Sequence, residues 1–315
     1  MNFPTGCIYL PQETAAYVLQ RQAEGIPCDV GQLQVDGSWQ KLVERGVYGV
    51  FAGDVERELR GEESPVRSQS RGTCCSQGTA GACQDSTTYA VGAAGAVGLK
   101  FIDISAETIY AIGRAVTGRG NYGRGDGLAG VHAAMAVHKY GLLRRAIYGR
   151  YDFSQPCEIV GVDWGYSGQI PQDIYNASRP VSACQKIDSD RELADTLASG
   201  YYSAICSTWQ FSDRRDSSGM CFYQNATAHC EQTSGVFLLP NWNGDPADAY
   251  KYTAVVRRQS WNGVPTGPDT LRYYGGTYKL RRGEYGITLA DAWKAIQTME
   301  AWCFSSPAEL WRDAA

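Results

Sequence analysis

The sequence predicts an α+β protein built from two subdomains. Segments of helical character precede residue 200, and segments of strand character dominate the chain after it. Helices and strands that are segregated along a chain in this way are typical of the α+β class. A length of 315 residues, with 43% hydrophobic and 20% charged residues, is enough for one large or two modest globular domains.

Charge and hydropathy exclude several classes of protein. The net charge is −4 and there is no dense run of Lys and Arg, so we expect no nucleic-acid partner. No segment approaches the roughly 18 consecutive apolar residues of a membrane span, and residues 1–10 lack the charged and apolar regions of a signal peptide. We therefore expect a soluble chain that is not exported and has no membrane partner.

The eleven cysteines are odd in number and scattered, without the paired CxxC spacing of a zinc site. At least one thiol must therefore be free or bonded to another chain. The sequence predicts no metal site and no cofactor. Cys206 lies in an apolar, strand-like run, where a buried and unreactive cysteine is the ordinary expectation.

The N-terminal extension, residues 1–65, has a mixed pattern without catalytic spacing. It predicts short helices at 13–24 and 55–60 and a strand at 31–39. Residues 61–82 are rich in Gly, Ser, Arg and Cys, which predicts a loop.

Residues 77–89 combine a Gly-rich stretch with one cysteine, Cys83, at the start of a segment of helical character. The unpaired N–H groups and the positive dipole end of a helix N-terminus stabilise a thiolate over a thiol. Small residues dominate positions 84–99; they weaken an isolated helix but let a buried helix approach its neighbours closely. Cys83 is therefore the predicted reactive thiol.

Helices are also predicted in the middle of the chain. Ser105 can cap one of them, and another spans 129–140 and ends before Gly141. The glycine-rich loop at 118–127 is not a phosphate loop, because no strand precedes it and no Gly-Lys-Ser/Thr ends it. Three prolines predict irregular structure over 150–188.

The last part of the chain has mainly β character. A short amphipathic helix is predicted at 190–199 and a longer one at 289–302. The predicted strands lie between them, at residues 201–208, 228–239, 252–261 and 277–282, with a polar insertion at 241–249.

A reactive thiol needs a base, and the chain offers only three histidines. His132 and His138 lie on the helix at 129–140 among small and apolar residues, where packing or surface roles are expected. His229 opens the first long strand of the β half. His229 is therefore the candidate base.

A series of short motifs follows one another along the chain. They are Gln77–Gln84 (Gln-Gly-Thr-Ala-Gly-Ala-Cys-Gln), Ile104–Ile109, Arg124–Leu128, His229–Glu231, Gln259–Asn262 and Tyr278–Gly283. In this order they resemble the papain family of cysteine peptidases, whose pattern is Gln-Gly-x-Cys-Gly-Ser-Cys-Trp at the nucleophile, His-Ala-Val at the histidine and Asn-Ser-Trp-Gly at the asparagine. The resemblance covers roughly residues 66–288.

The resemblance implies a papain-like α+β fold with an active-site cleft between two subdomains. The helical subdomain, residues 66–188, would carry the nucleophile. The β-rich, barrel-like subdomain, residues 189–315, would carry the histidine and a C-terminal helix.

The resemblance also implies a role for each site residue. Cys83 is the expected nucleophile, and His229 is its base and acid across the cleft. The side chain of Gln77 and the backbone N–H of Cys83 would form the oxyanion hole. Gln259 would orient His229 through its side-chain carbonyl, and Trp261 would shield that hydrogen bond from water.

The implied substrate is a peptide or protein. The walls of the implied pocket are small and uncharged, which favours an apolar or modest-sized residue before the scissile bond. The implied substrate-binding residues are Gly125, Asp126, Gly127, Ala129, Cys206, Thr227 and Cys230. Ala80 and Gly125 replace both cysteines of a family disulfide, which favours a reducing compartment or a virus particle. Residues 1–65 show no recognisable pro-segment, so autoinhibition is not predicted.

Two choices remain open at the level of sequence. Gln69 precedes Cys75 by six residues and offers a competing register, but the Cys83 register has the better following helix and the better distance to Ser105. The predicted function is a cysteine peptidase that forms a thioester intermediate, and a transferase could use the same dyad. The alternative is an inactive structural scaffold, for example in a virion, because Gln84 and Gln259 replace the family's Trp and Asn.

Overall fold

The computed structural model describes nine stretches of the chain. They are residues 7–23, 38–61, 63–67, 69–93, 103–119, 122, 125–181, 183–260 and 265–306. Trp261 and most of the strand predicted at 31–39 lie outside these residues, so their predicted roles stay predictions.

The helices of the described chain fall mainly before residue 200. They are α1 (Pro11–Ala23), α2 (Trp39–Glu44), α3 (Ala52–Arg60), α4 (Cys74–Ala93), α5 (Ala106–Ile112), α6 (Gly130–Lys139), α7 (Glu158–Ser167), α8 (Gln172–Ala177), α9 (Asp190–Ala198) and α10 (Leu289–Gln297). A π-helical turn, Gly113–Thr117, extends α5, and a 3-10 helix spans Pro246–Tyr252.

The strands in the described part of the chain form one large sheet and three small pairs. They are β1 (Cys7–Ile8), β2 (Gly49–Phe51), β3 (Leu128–Ala129), β4 (Ile147–Tyr148), β5 (Tyr151–Asp152), β6 (Cys184–Lys186), β7 (Ser203–Phe211), β8 (Tyr223–Leu238), β9 (Thr253–Arg258), β10 (Thr270–Tyr273), β11 (Gly276–Lys279), β12 (Glu284–Thr288) and β13 (Glu300–Phe304). The large sheet is antiparallel in the order β12-β9-β8-β7-β13-β6, and β2 also pairs with β8. The predicted α+β class is confirmed, and its β-rich part is this seven-stranded sheet.

Helix α4 packs against the centre of the sheet and is buried over most of its length. Two glycines permit this close approach. A Cβ atom on Gly78 would lie 3.0 Å from Cys230 Sγ, and one on Gly81 would lie 1.6 Å from Gln232 Oε1. Both glycines lie before the stretch 84–99 for which close packing was predicted. Within the described part of that stretch, a Cβ atom on Gly92 would lie 2.3 Å from Val55 Cγ1.

The loop predicted at 61–82 is wrong in its second half, because α4 begins at Cys74 and not near Cys83. Intrinsic propensity disfavours glycine within a helix, but burial against β7 and β8 overrides that preference. The irregular structure predicted for 150–188 is also wrong in part. Helices α7 and α8 begin just after prolines, where the missing N–H of proline costs no helical hydrogen bond.

A buried charge network joins α3, α4 and the sheet. Arg281 has no exposed surface, and its guanidinium lies 2.9 Å from Glu56, 2.7 Å from Asp85 and 2.7 Å from Glu284. Burial alone would raise the pKa of Glu284, but Arg281 beside it holds that pKa below its usual 4.5. The network therefore contains ionised groups that depend on Arg281 for compensation.

Of the helices in the described part of the chain, none combines the length and the apolar character that crossing a bilayer requires.

Candidate active site at the start of helix α4

Cys74 is the first residue of α4, a helix of 20 residues. The loop before it is anchored by Glu158 of α7, which accepts hydrogen bonds from the backbone N–H of Ser70 at 2.7 Å and from the hydroxyl of Thr73. The carbonyl of Thr73 accepts the N–H of Gln77 at 3.0 Å and so closes the first helical turn. Cys74 consequently lies where unpaired N–H groups and the helix dipole favour a thiolate.

His229 on β8 is the hydrogen-bond partner of the Cys74 thiol. Burial raises the pKa of a thiol, but hydrogen bonds from Cys7, Cys75 and His229 and the charge of His229 bring the pKa of Cys74 well below its usual 9.0. Burial likewise lowers the pKa of an imidazole, but the contact with Cys74 and the nearby Glu231 raise the pKa of His229 above 6.5. These opposite shifts favour a thiolate–imidazolium pair.

Glu231 flanks the other side of the imidazole. It lies two residues after His229 on the same strand, so both side chains face the same side of the sheet. Its Oε1 is 3.8 Å from His229 Nε2, and its Oε2 accepts a hydrogen bond from the Tyr285 hydroxyl and lies 3.2 Å from Arg257 Nε. Glu231 is thus a fixed negative charge beside the histidine, and the sequence analysis did not identify it.

Gln69 supplies an amide donor at the same end of α4. Its side chain is buried, and its Oε1 accepts a hydrogen bond from the Ser260 hydroxyl at 2.7 Å. Its Nε2 is buried and has no hydrogen-bond partner among the described residues. An amide whose oxygen is held and whose nitrogen lacks a partner can donate to a negatively charged oxygen of a bound reactant.

Strand β1 covers this site. It pairs in parallel with β3, with Cys7 opposite Leu128 and Ile8 opposite Ala129, and the Cys7 thiol contacts that of Cys74. Cys74 is 0% exposed and His229 is 5% exposed. In the conformation described, β1 therefore lies over a buried thiol–imidazole pair, a contact that the sequence motifs did not predict.

The fold and this geometry can be compared with solved structures. Xylellain, a cysteine protease from Xylella fastidiosa, is 14% identical over 82% of this chain and 86% of its own, with a TM-score of 0.50. The fold is papain-like. The chain is also similar to digestive procathepsin L 3 of Tenebrio molitor larval midgut, with 14% identity over 82% of this chain and 70% of that one and a TM-score of 0.46. It is similar to procathepsin B S9 from Trypanosoma congolense, with 12% identity over 82% of this chain and 77% of that one and a TM-score of 0.46. No protein-family model and no curated protein sequence matches the chain.

Within this papain-like fold, the structure does not bring Cys83 to His229. Cys83 lies nine residues after Cys74 in α4, about 13 Å along the helix axis. It is fully buried, and burial raises its pKa. The predicted pairing of Cys83 with His229 does not occur in the structure, in which His229 contacts Cys74 instead.

The oxyanion role assigned to Gln77 is corrected for the same reason. Gln77 lies one turn inside α4 and not in the loop before it. Gln84 also has a structural role: its Oε1 accepts hydrogen bonds from the guanidinium of Arg67 and from the N–H of Ile104 at 3.3 Å. These contacts hold Gln84 ten residues after Cys74 in the chain.

Gln259 follows β9 directly, at the end of the sheet where β8 carries His229 and Glu231. Its backbone N–H donates to Gly283 O at 3.1 Å. The role of Gln259 in orienting His229 stays a prediction, as does the shielding role of Trp261.

The residues predicted to bind substrate make contacts of their own in the structure. The carboxylate of Asp126 accepts a hydrogen bond from the Tyr166 hydroxyl at 2.8 Å, and the carbonyl of Gly127 accepts one from Arg114 at 2.5 Å. Ala129 belongs to β3, whose partner is β1. Strand β1 therefore pairs with the strand that contains Ala129, one of the residues predicted to bind the peptide substrate.

The remaining predicted pocket residues divide into two groups. Gly125 is exposed and Thr227 is half-buried on β8, two residues before His229. Cys206 and Cys230 are buried opposite each other on β7 and β8. Their roles in substrate binding stay predictions.

Proposed function

We propose that the chain is a cysteine peptidase in which Cys74 is the nucleophile and His229 is the acid and base. The observation that carries this proposal is the contact between the Cys74 thiol, at the start of α4, and the His229 imidazole, with pKa shifts of opposite sign. A pre-formed ion pair of this kind makes a cysteine nucleophilic near neutral pH.

The proposed reaction proceeds in two steps. The Cys74 thiolate attacks the carbonyl carbon of a peptide bond, and the oxygen gains negative charge that Gln69 Nε2 and the Cys74 N–H would stabilise. The His229 imidazolium gives its proton to the leaving amine as the C–N bond breaks, which leaves a thioester. Neutral His229 then takes a proton from water, whose oxygen attacks the thioester and releases the acid and the Cys74 thiolate.

Glu231 is proposed as a positioning residue in this scheme. Its carboxylate is next to the ring of His229, and the contacts with Tyr285 and Arg257 restrict its own movement. A fixed negative charge favours the imidazolium that protonates the leaving amine. Gln259 would supplement this contact from the end of β9.

Peptide binding requires the segment that contains β1 to leave β3. Ile8 is half-buried and packs against the core, whereas its neighbour Tyr9 is 39% exposed. We expect Ile8→Asp to weaken the docking of β1 by about 1–2 kcal/mol, because it removes apolar burial and adds a charge. Hydrolysis of fluorescently labelled casein by Ile8→Asp should then exceed that of the unsubstituted chain roughly tenfold.

Tyr9→Asp is the matched control, because it adds the same charge at an exposed position. It should change casein hydrolysis by less than about twofold, in line with ordinary surface substitutions. If neither the unsubstituted chain nor Ile8→Asp cleaves casein, and mass spectrometry finds Cys74 alkylated by iodoacetamide no faster than Cys157, the peptidase proposal fails. That result would favour the inactive scaffold.

The amide nitrogen of Gln69, which has no partner among the described residues, leads to a prediction about catalysis. Gln69→Ala in the Ile8→Asp background should lower kcat by about 10²-fold, because the oxyanion loses one donor. The KM for casein should change much less, since the donor acts on charge that develops in the transition state. Ser260→Ala should give a smaller loss of the same kind, because it removes only the group that holds the Gln69 amide. An increase in the KM for casein with an unchanged kcat would contradict this role of Gln69.

The pKa shifts predict how activity depends on pH. The lowered pKa of Cys74 keeps the thiolate at pH values well below 9.0, and the raised pKa of His229 keeps the imidazolium at pH values above 6.5. Casein hydrolysis by Ile8→Asp should therefore show a bell-shaped pH profile, with an acid limb from Cys74 and an alkaline limb from His229. In His229→Gln, the midpoint of Cys74 alkylation should move to higher pH, because burial raises the pKa of the thiol and the imidazolium no longer opposes that effect. An unchanged midpoint would exclude the ion pair.

A further inference from the structure

Four cysteines other than Cys74 meet beside it. Cys7, Cys75 and Cys206 come from β1, α4 and β7, and their Sγ atoms all lie within 4.8 Å of one another. The Sγ atoms of Cys75 and Cys206 are 3.6 Å apart. All three side chains are buried. The peptidase scheme proposed above uses none of these thiols.

Cys230 adds a fourth sulfur from β8. It lies directly opposite Cys206 in the β7–β8 pairing, and its thiol hydrogen-bonds those of Cys206 and Cys75. Met299 places a thioether at the edge of the group, because its Sδ accepts from the Cys7 thiol at 3.6 Å. Three elements thus bring the thiols of Cys7, Cys75 and Cys206 together, and β8 adds the thiol of Cys230 against two of them.

We infer that Cys7, Cys75 and Cys206, with Cys230 as the fourth donor, form a binding site for a thiophilic metal ion, Zn²⁺ or Cu⁺. The absence of a CxxC pair led the sequence analysis to expect no metal. The structure brings the donors together from positions that are up to 223 residues apart in sequence, which sequence spacing does not reveal.

The arrangement of the sulfur atoms fits such an ion. Zn–S bonds of about 2.3 Å in a tetrahedral site place neighbouring sulfurs roughly 3.8 Å apart. The distance of 3.6 Å between Cys75 and Cys206 is close to that value, whereas a disulfide requires about 2.05 Å. Thiolates are the donors that select Zn²⁺ and Cu⁺ over harder ions. Each thiol would release its proton to solvent as its metal–sulfur bond forms.

A buried guanidinium next to the thiols also fits a negatively charged centre. An ion of charge +1 or +2 bound by three or four thiolates has a net negative charge. Arg257 is 1% exposed, and its Nη1 has no hydrogen-bond partner among the described residues. Cys206 and Cys230 lie near the Arg257 guanidinium, whose Nε is also 3.2 Å from Glu231 Oε2. Arg257 would therefore compensate charge on the bound thiolates.

The site has a structural consequence for the proposed nucleophile. Cys7 is the donor from β1, and Cys75 is adjacent to Cys74 in the chain. A metal bound to both would fix β1 beside Cys74, so loss of the metal should expose that thiol. Metal binding itself does not depend on Cys74 being catalytic.

The test measures the metal content of the full chain, purified under reducing conditions from cells grown with added zinc. Elemental analysis for zinc and copper should find roughly one ion per chain. Chelated protein titrated with Co²⁺ should show the intense thiolate-to-cobalt absorption and the visible bands of a tetrahedral site. Cys206→Ser should lose at least about nine tenths of the bound metal, because the site loses one of its thiolate donors.

Cys157→Ser is the matched control, since Cys157 is a free and partly exposed cysteine outside the group, and it should retain the metal. Cys7→Ser provides a second variant should Cys206→Ser fail to fold, because Cys7 lies on the two-residue strand β1 and not in the large sheet. Cys74→Ala should keep the metal even though it would remove peptidase activity, which separates this proposal from the previous one.

Two results would overturn the metal site. One is protein that carries neither zinc nor copper and gives no thiolate absorption with Co²⁺. The other is a disulfide between Cys75 and Cys206, found by peptide mapping, together with two thiols fewer than eleven in denatured protein.

Discussion

Cys74→Ala should abolish hydrolysis of labelled casein, with a loss in kcat on the order of 10⁶-fold, as expected when a nucleophile is removed. The physical reason is that, among the cysteines of the described residues, Cys74 combines the N-terminal position on α4 with a hydrogen bond to His229. The measurement is best made in the Ile8→Asp background, where β1 blocks the site less.

Cys83→Ala is the decisive comparison, because Cys83 is the nucleophile that the sequence predicts. Replacing this buried thiol should cost only about 1 kcal/mol of stability and leave the rate within a few-fold. Iodoacetamide labelling followed by peptide mapping should mark Cys74 and leave Cys83 unmodified under native conditions. Loss of activity in a folded Cys83→Ala protein, with Cys74→Ala active, would restore the sequence-based assignment and refute the structural one.

Arg281→Met should destabilise the protein by about 3–5 kcal/mol, the cost expected when one partner is removed from a buried charge network. Arg281 lies between carboxylates of α3, α4 and β12, and Met would leave Glu56, Asp85 and Glu284 in a buried site without that compensating charge. Because the network joins the helices to the sheet, we expect the global unfolding transition to shift to lower urea concentration, and not only a local region to unfold.

The free energy of unfolding from urea denaturation followed by circular dichroism would measure this effect. Arg272→Met on β10 is the matched control, because Arg272 is exposed, and it should change stability by less than about 0.5 kcal/mol. Adding Asp85→Asn to Arg281→Met should recover part of the loss, since it removes one uncompensated charge. A loss below about 1 kcal/mol in Arg281→Met would show that the carboxylates are neutral in the folded state.

The sequence pattern was sufficient to place several elements. Helices α1, α3, α6 and α9 and strands β7 and β9 occur within a few residues of their predicted positions. The helix predicted at 289–302 is wrong at its end, because α10 ends at Gln297 and strand β13 begins at Glu300. Where one face of a helix is buried, as in α9, the apolar spacing along the chain reflects that face. The start of α4 was not predictable in this way, because a helix that is buried on all sides shows no polar face.

The identification of His229 and the misassignment of Cys83 have the same origin. With only three histidines, the choice of the base was narrow, and the strand that carries His229 has a clear pattern. The reactive cysteine was sought at the start of a helix, but that start was placed near Cys83 because Gly78 and Gly81 were taken as loop residues. In the structure these glycines let α4, which begins at Cys74, pack closely on β8.

The sequence by itself determined the α+β class, the order of most elements and the histidine of the candidate site. The tertiary structure alone decided which cysteine faces that histidine, that Gln69 and Glu231 adjoin the site, and that thiols from four elements converge beside Cys74. The physical reason is that side-chain spacing within one element follows from its helix or strand period, whereas contacts between elements depend on how closely their surfaces pack. At the start of α4, that packing depends on two glycines.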